Sequence, residues 1–143
     1  MSAEPQVLAL FISVNNEKKR LSKEQLELDE KGVLGDKFYA KNNNRLILIT
    51  STTAYMLAKK SGVELEYGSL GENILIDQSI NELVIGDRFK VGEILLEVTQ
   101  NCTLCNGLSI LDSKLPEILK NDRGLFAKAV TNGIIKKNDI III

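Results

Sequence analysis

EILLEVTQ, residues 93–100, alternates strictly: Ile94, Leu96 and Val98 share one face of an extended chain, and Leu95, Glu97 and Thr99 share the other. Successive strand side chains point to opposite faces, so this period of two predicts a β-strand with one face in a core. Other short runs rich in Val and Ile lie between Gly, Asn and Asp: VLALFISV (7–14), RLILIT (45–50), NILID (73–77), ELVI (82–85), RFKV (88–91) and the closing DIIII (139–143). LFAKAV (125–130) is a further strand candidate. Many short strands at such spacing predict a mainly β sandwich or barrel, with the closing run as a buried strand at its edge.

Two segments read as short helices. Thr52–Lys60 follows a candidate cap at Ser51, spaces Ala54, Leu57 and Ala58 along one face, and meets Gly62 just past its end. A second is expected over residues 113–120, with Asp112 or Ser113 as cap, Pro116 in the first turn, and Leu115, Ile118 and Leu119 facing inward. Both are expected to cover ends of a barrel. Gly35-Asp36, Gly86-Asp87 and Asn138-Asp139 read as chain reversals: Gly and Asn accept positive φ, and Asp bonds neighbouring backbone.

The 143 residues suit one domain spanning 1–143, large enough to remove roughly two-thirds of the unfolded chain's surface from water. Eighteen Lys and Arg against nineteen Asp and Glu leave no basic excess, which argues against nucleic acid as a partner. The apolar run at 7–14 has no cationic region before it and no cleavage site after it, so it reads as a strand rather than a signal peptide. No run approaches the roughly 20 apolar residues that a membrane-spanning helix needs, and a membrane partner is not expected. Two cysteines make no disulfide framework, which points to a reducing compartment, the cytoplasm.

The chain has no histidine. That removes Ser-His-Asp and Cys-His catalysis and Cys₂His₂ zinc sites, and it turns attention to Cys102 and Cys105, spaced C-x-x-C in TQNCTLCNG (99–107). Four readings stand side by side. A thioredoxin-like redox pair would need a helix N-terminus after a strand, where the sequence reads as β followed by a loop. A zinc site would need a second chain to complete Cys₄. One thiolate could be a soft-metal ligand or carry a persulfide. The pair could also be two small buried hydrophobes.

Arginine is scarce: Arg20, Arg45, Arg88 and Arg123. Arg123 and Arg45 each stand where a strand opens, a place for bidentate anion recognition, although surface ion pairs are the common fate of such residues. Glu72 and Asn73, in LGEN (70–73), set polar groups at the mouth of an apolar run, to cap loop backbone or to face a ligand.

In order along the chain, GVLGDKF (32–38), Arg45, LGENI (70–74), IGDRFKVG (85–92), EVTQNCTLC (97–105), RGLFAKAV (123–130) and NGIIKKNDIII (132–142) resemble the MOSC domain, the molybdenum-cofactor sulfurase C-terminal domain. The likeness runs through nearly the whole chain. It implies a MOSC-type β-barrel with two or more short helices. Cys105 matches the family cysteine that ligates molybdenum in amidoxime-reducing relatives or is proposed to carry sulfur. By the same resemblance Arg45, Glu72, Asn73 and Arg123 are expected at the cofactor, with Cys105 as metal ligand and Cys102 as its catalytic partner.

The expectation is a molybdenum-cofactor-binding protein that reduces N-oxygenated compounds or transfers cofactor or sulfur. A metal-free persulfide carrier or thiol relay using Cys105 and Cys102, and a binding module without catalysis, are the alternatives. Where relatives often have G-D-x-H this chain has Gly35-Asp36-Lys37-Phe38, and where they often have R-x-P-C it has Cys102-Thr103-Leu104-Cys105. The second change puts a thiol where an anion-binding side chain stands, which favours a resolving role for Cys102. No pyridoxal phosphate is expected in this domain alone, so a cysteine desulfurase, a molybdoenzyme or an electron-transfer protein is the expected partner. A strand edge covered by a second copy would give a homodimer.

Overall fold

The computed structural model describes residues 4–15, 20–101 and 111–143. Among them the order is β1 (Val7–Ile12), β2 (Leu21–Lys23), β3 (Gln25–Asp29), β4 (Gly32–Val33), β5 (Ile47–Ser51), α1 (Thr52–Lys60), β6 (Ile74–Ile76), β7 (Arg88–Val91), β8 (Ile94–Asn101), α2 (Leu115–Ile118), β9 (Leu125–Ala129), β10 (Gly133–Lys136) and β11 (Ile141–Ile142). The fold is mainly β, as the alternating runs predict.

The long sheet runs β11-β7-β8-β9-β5-β6-β1-β2, and a smaller one runs β10-β3-β4. The long sheet curls until Gln6, just before β1, bridges antiparallel to Ile140, just before β11. Val7 N–H donates to the Asp139 carbonyl at 2.9 Å and Ile141 N–H to the Pro5 carbonyl at 2.8 Å across that seam. These bonds occupy backbone groups that an open edge would leave unpaired.

The inner faces supply the core. Leu10, Ile47, Ile74, Phe89, Leu96 and Val98 are buried together, with Leu26, Leu28 and Ile135 of the small sheet in the same cluster. Truncating any of the large aliphatic ones to Ala would cost about 2–5 kcal/mol. In β8 the expected split holds: Ile94, Leu96 and Val98 are buried while Leu95, Glu97 and Thr99 are half-buried. Thr99 is the extra residue of a bulge, since Val98 faces Ala127 and Gln100 faces Phe126. Its hydroxyl donates to the Asn44 carbonyl at 2.8 Å.

β5 and β6 pair in parallel, and α1 lies on the crossover between them. Ala54, Tyr55 and Ala58 are its buried residues, joining Phe11, Leu70, Leu75, Leu115 and Leu119 in a second cluster. Ser51 has the extended N-cap backbone, without a side-chain capping bond. Gly62, at φ +88°, follows the helix end.

Several expectations need correction. ELVI (82–85) is no strand: Asp87 Oδ2 accepts Val84 N–H at 2.9 Å and Asp87 N–H bonds the Val84 carbonyl, so turn chemistry around Gly86 (φ +96°) overrides β-propensity. The second helix is one turn, Leu115–Ile118, because Asp112 Oδ1 takes Lys114 N–H and closes a turn ahead of it. β2, β3, β4 and β10 lie in segments that the apolar runs did not flag, although Leu26 and Leu28 of β3 alternate with polar neighbours and are buried. In the closing run only Ile141 is buried, and Ile140, Ile142 and Ile143 are exposed.

The three turn aspartates behave as expected. Asp36 accepts Ser13 N–H at 2.7 Å, and Asp139 accepts Lys136 N–H at 2.8 Å beside Asn138 at φ +74°. Among the described residues, no helix is long and apolar enough to cross a membrane.

Candidate functional site

Arg123 stands between α2 and β9, and its backbone is fixed on both sides. The Thr50 hydroxyl of β5 donates to its carbonyl at 2.9 Å. Gly124 (φ +136°) brings β9 so close to β5 that a Cβ there would run into the Ile49 carbonyl oxygen. The side chain turns inward and is buried. Nη2 donates to the Leu70 carbonyl at 2.5 Å, while Nε and Nη1 have no hydrogen-bond partner among the described residues. Leaving a buried donor unpaired costs about 1–3 kcal/mol, more for a charged group, and an incoming acceptor would relieve that cost.

Arg20 also approaches Gly71. A Cβ on Gly71 (φ +90°) would lie 3.6 Å from Arg20 Nη2 and 3.7 Å from Arg123 Nη2, so both guanidinium groups converge on a residue without a side chain. Arg20 Nη1 is 3.9 Å from Asp36 Oδ1, too far for a hydrogen bond, and is itself unpartnered among the described residues. Burial pulls the Arg20 guanidinium below its ordinary value and the Arg123 charge adds to this, while Asp36 and Glu72 oppose it. Two like charges held together under cover favour a bound anion.

A cavity of about 380 Å³ opens in front of them. Among the described residues, Arg20, Lys41, Arg45 and Arg123 supply four cations and no carboxylate to its lining, and Phe38, Leu46, Leu48 and Phe126 supply apolar walls. The Arg45 guanidinium lies over the Phe126 ring, and Lys37 and Arg20 lie 5.0 and 5.9 Å from the centre of Phe38. The chain's net charge of −1 conceals this local excess.

Asn73 also lines the cavity, but its polar atoms serve backbone. Oδ1 accepts Leu48 N–H at 3.0 Å and Nδ2 donates to the Phe11 carbonyl at 3.2 Å, tying β5 to β1 where β6 begins. Glu72 is fully buried and is not among the cavity-lining residues. Its Oε2 accepts the Tyr55 hydroxyl at 2.6 Å and Gly68 N–H at 3.1 Å, and its Oε1 has no partner among the described residues. Burial pushes the Glu72 carboxyl above its ordinary value, against the hydrogen bonds from Tyr55 and Gly68 and the charge of Arg20. Burial, then the Glu72 charge, pushes the Tyr55 phenol far up, so it remains a donor.

The structure therefore brings Arg45, Asn73 and Arg123 to one cavity and sets Glu72 outside its lining. Arg20, Lys41, Phe38 and Phe126 join them at the cavity, Tyr55 joins Glu72 outside its lining, and none of the five has a role at the site in the sequence analysis. Their signals were slight: Arg20 is one of four arginines, and Phe38 is the residue by which the chain departs from G-D-x-H. Cys102 and Cys105 lie outside the described residues. The last described residue before them, Asn101, pairs with Leu125, two positions beyond Arg123. Among the described residues, no group of three or more His, Cys, Asp or Glu is placed to hold a metal.

Residues 35–141 match the family model of the MOSC domain. The chain belongs to the MOSC domain family. This MOSC domain has the fold of YuaD from Bacillus subtilis, at 18% identity and a TM-score of 0.85, over 97% of this chain and 94% of that one. YiiM from Geobacillus stearothermophilus (14% identity, TM-score 0.76, 96% of this chain and 74% of that) is also similar. So is YiiM from Escherichia coli (20% identity, TM-score 0.69, 96% and 68%). No curated protein sequence matches. The family expected from the ordered motifs is thus the one found, and the fold agrees with it.

Proposed function

We propose that this MOSC domain binds molybdenum cofactor, with the anionic part of the cofactor in the Arg20–Arg45–Arg123 cavity and the Cys105 thiolate as metal ligand. The observation that carries the reading is the buried Arg123 guanidinium with Nε and Nη1 unpartnered among the described residues. A group bearing several acceptor oxygens fits that donor set, since guanidinium offers two adjacent N–H groups in a fixed fork. Arg20 and Lys41 add charge, and Arg45, supported on Phe126, adds a planar donor at the wall. Asn73 keeps the strands that carry the cavity together, and Glu72, outside the lining, takes no part in binding and accepts the Tyr55 hydroxyl and Gly68 N–H.

When bound, the cofactor supplies the redox centre, and the protein's part is binding, orientation and one soft ligand. The activity is reduction of N-oxygenated compounds or transfer of cofactor or sulfur. In the transfer case a cysteine desulfurase gives up the outer sulfur of its persulfide to the Cys105 thiolate and regains its own thiolate; the Cys102 thiolate then attacks the inner sulfur of the Cys105 persulfide, forming the Cys102–Cys105 disulfide and releasing the outer sulfur as hydrosulfide to the acceptor, and a dithiol reductant restores both thiols. The cytoplasm, which keeps thiols reduced, is the compartment that suits both uses.

The test is elemental analysis of protein made in a host that synthesises molybdenum cofactor, beside Cys105→Ala and Arg123→Ala. Molybdenum stoichiometric with the wild-type chain and depleted in both variants is the expected result. Arg123→Ala should weaken cofactor binding by about 1.5–3 kcal/mol. No molybdenum in the wild type, with a control molybdoenzyme from the same host fully loaded, would overturn the reading. A gain of sulfur on Cys105 after incubation with a desulfurase would then establish the metal-free carrier.

A further inference from the structure

Arg123 reaches the cavity with one nitrogen held and two without a partner among the described residues, and what holds it is a loop rather than a side chain. The Leu70 carbonyl takes Nη2, and Leu70 belongs to the turn 68–71, in which Gly71 N–H bonds the Gly68 carbonyl at 3.0 Å. Gly68 (φ +93°) packs on the Phe11 ring, where a Cβ would be 3.1 Å from a ring carbon. One hydroxyl ties this turn to the helix: Tyr55 Oη of α1 accepts Gly68 N–H at 2.9 Å and Leu70 N–H at 3.3 Å, and donates to Glu72 Oε2 at 2.6 Å. The same oxygen thus fixes the 67–68 and 69–70 peptides and the carboxyl that follows Gly71.

We infer that Tyr55 is a positioning residue for Arg123: through its hydroxyl it pins the 68–71 turn, aims the Leu70 carbonyl at Nη2, and so presents Nε and Nη1 to an anion. The inference rests on the anion cavity proposed above and assigns its preorganisation to a helix residue outside the cavity lining. Holding Nη2 removes torsional freedom from a long side chain before the ligand arrives, which lowers the ordering cost of binding. Without the hydroxyl, the 69–70 peptide loses the acceptor for its N–H, the 68–71 turn keeps only its own Gly71 N–H to Gly68 carbonyl bond and the Glu72 contact with Gly68, and the Leu70 carbonyl at its far end holds Arg123 less firmly.

The experiment is a titration of the full chain with inorganic phosphate, followed by ¹H–¹⁵N spectra of the arginine side chains, which number four. In the wild type, the Arg123 Nε–H signal should move with phosphate, and its Nη hydrogens should be resolved because one nitrogen is held. Tyr55→Phe, which keeps the ring, should weaken phosphate binding roughly fivefold to tenfold and merge the Nη signals through rotation about Cζ–N. Glu72→Gln keeps an acceptor for Tyr55 and Gly68, and should leave the Nη signals resolved and the affinity within about twofold.

Wild-type affinity and resolved Nη signals in a folded Tyr55→Phe would overturn the inference while leaving the anion cavity standing. Should Tyr55→Phe fail to fold, Glu72→Gln decides: merged signals and lost affinity there overturn the hydrogen-bonded account, and their retention supports it. A wild type whose Arg123 signals ignore phosphate would overturn the cavity reading and this inference together.

Discussion

The Arg45 guanidinium carbon lies 4.9 Å from the centre of the Phe126 ring. Arg45 lies two residues before β5 and Phe126 lies in β9, strands that pair with Leu48 opposite Phe126, so sheet register sets the stack. A cation over an aromatic face contributes about 0.5–1 kcal/mol when exposed. Phe126→Leu should therefore weaken phosphate binding about twofold to fivefold, with little change in fold. Calorimetric titration checks this, and unchanged affinity would mean that Arg45 needs no support from the ring.

Glu72 gives a pH dependence with a definite sign. Its folded carboxyl is raised by burial above an ordinary value of 4.5, so the folded state holds a proton that the unfolded state releases. Its contribution to stability is full below that value and is lost as pH rises through the folded value. Glu72→Gln should remove the loss, so its stability advantage over the wild type should grow as pH increases above 4.5. Urea denaturation across a pH series reads the difference; an advantage constant with pH would contradict the raised carboxyl.

Asn73→Ala should destabilise the protein by about 2–4 kcal/mol, because it strands both the Leu48 N–H and the Phe11 carbonyl under cover. Asn73→Asp keeps the acceptor for Leu48 but sets a carboxyl against the Phe11 carbonyl, so its cost should rise as that carboxyl ionises. The midpoint of urea unfolding distinguishes the two, and a cost below about 0.5 kcal/mol for Asn73→Ala would remove its structural role.

Two glycines should respond differently. Gly124→Ala drives a methyl into the Ile49 carbonyl and to within 2.9 Å of Thr50 Oγ1, so it should disrupt the β5–β9 pairing and lower stability strongly. Gly71→Ala meets the two guanidinium groups only at contact distance, but its positive φ is strained, at about 1–2 kcal/mol. Its clearer effect should be on phosphate affinity, because the methyl stands where Arg20 and Arg123 converge. Thermal unfolding and phosphate titration of both variants test this, and a fully stable Gly124→Ala would refute the close approach.

Much of the barrel was legible because a strand declares itself locally. EILLEVTQ shows its period within eight residues, and the structure buries the predicted face of β8. The α1 boundaries were legible for the same reason, since Ser51 and Gly62 mark ends that depend on nearest neighbours. ELVI failed because Gly86-Asp87 redirected its backbone bonds, and β3 was missed because its two buried leucines sit among charges.

The site followed another rule. Sequence by itself determined the β class, the MOSC family and the absence of imidazole chemistry, and it singled out Arg45, Asn73 and Arg123, since each is carried by residue type and order along the chain. Only the tertiary structure decided that Arg20 and Arg123 meet at Gly71, that Glu72 lies outside the cavity lining, and that Tyr55 bonds the 68–71 turn. The physical reason is burial. A guanidinium becomes a waiting donor only when packing has removed water from it and left its N–H groups without acceptors, and closure of the sheet through distant strands, not any local pattern, brings that about.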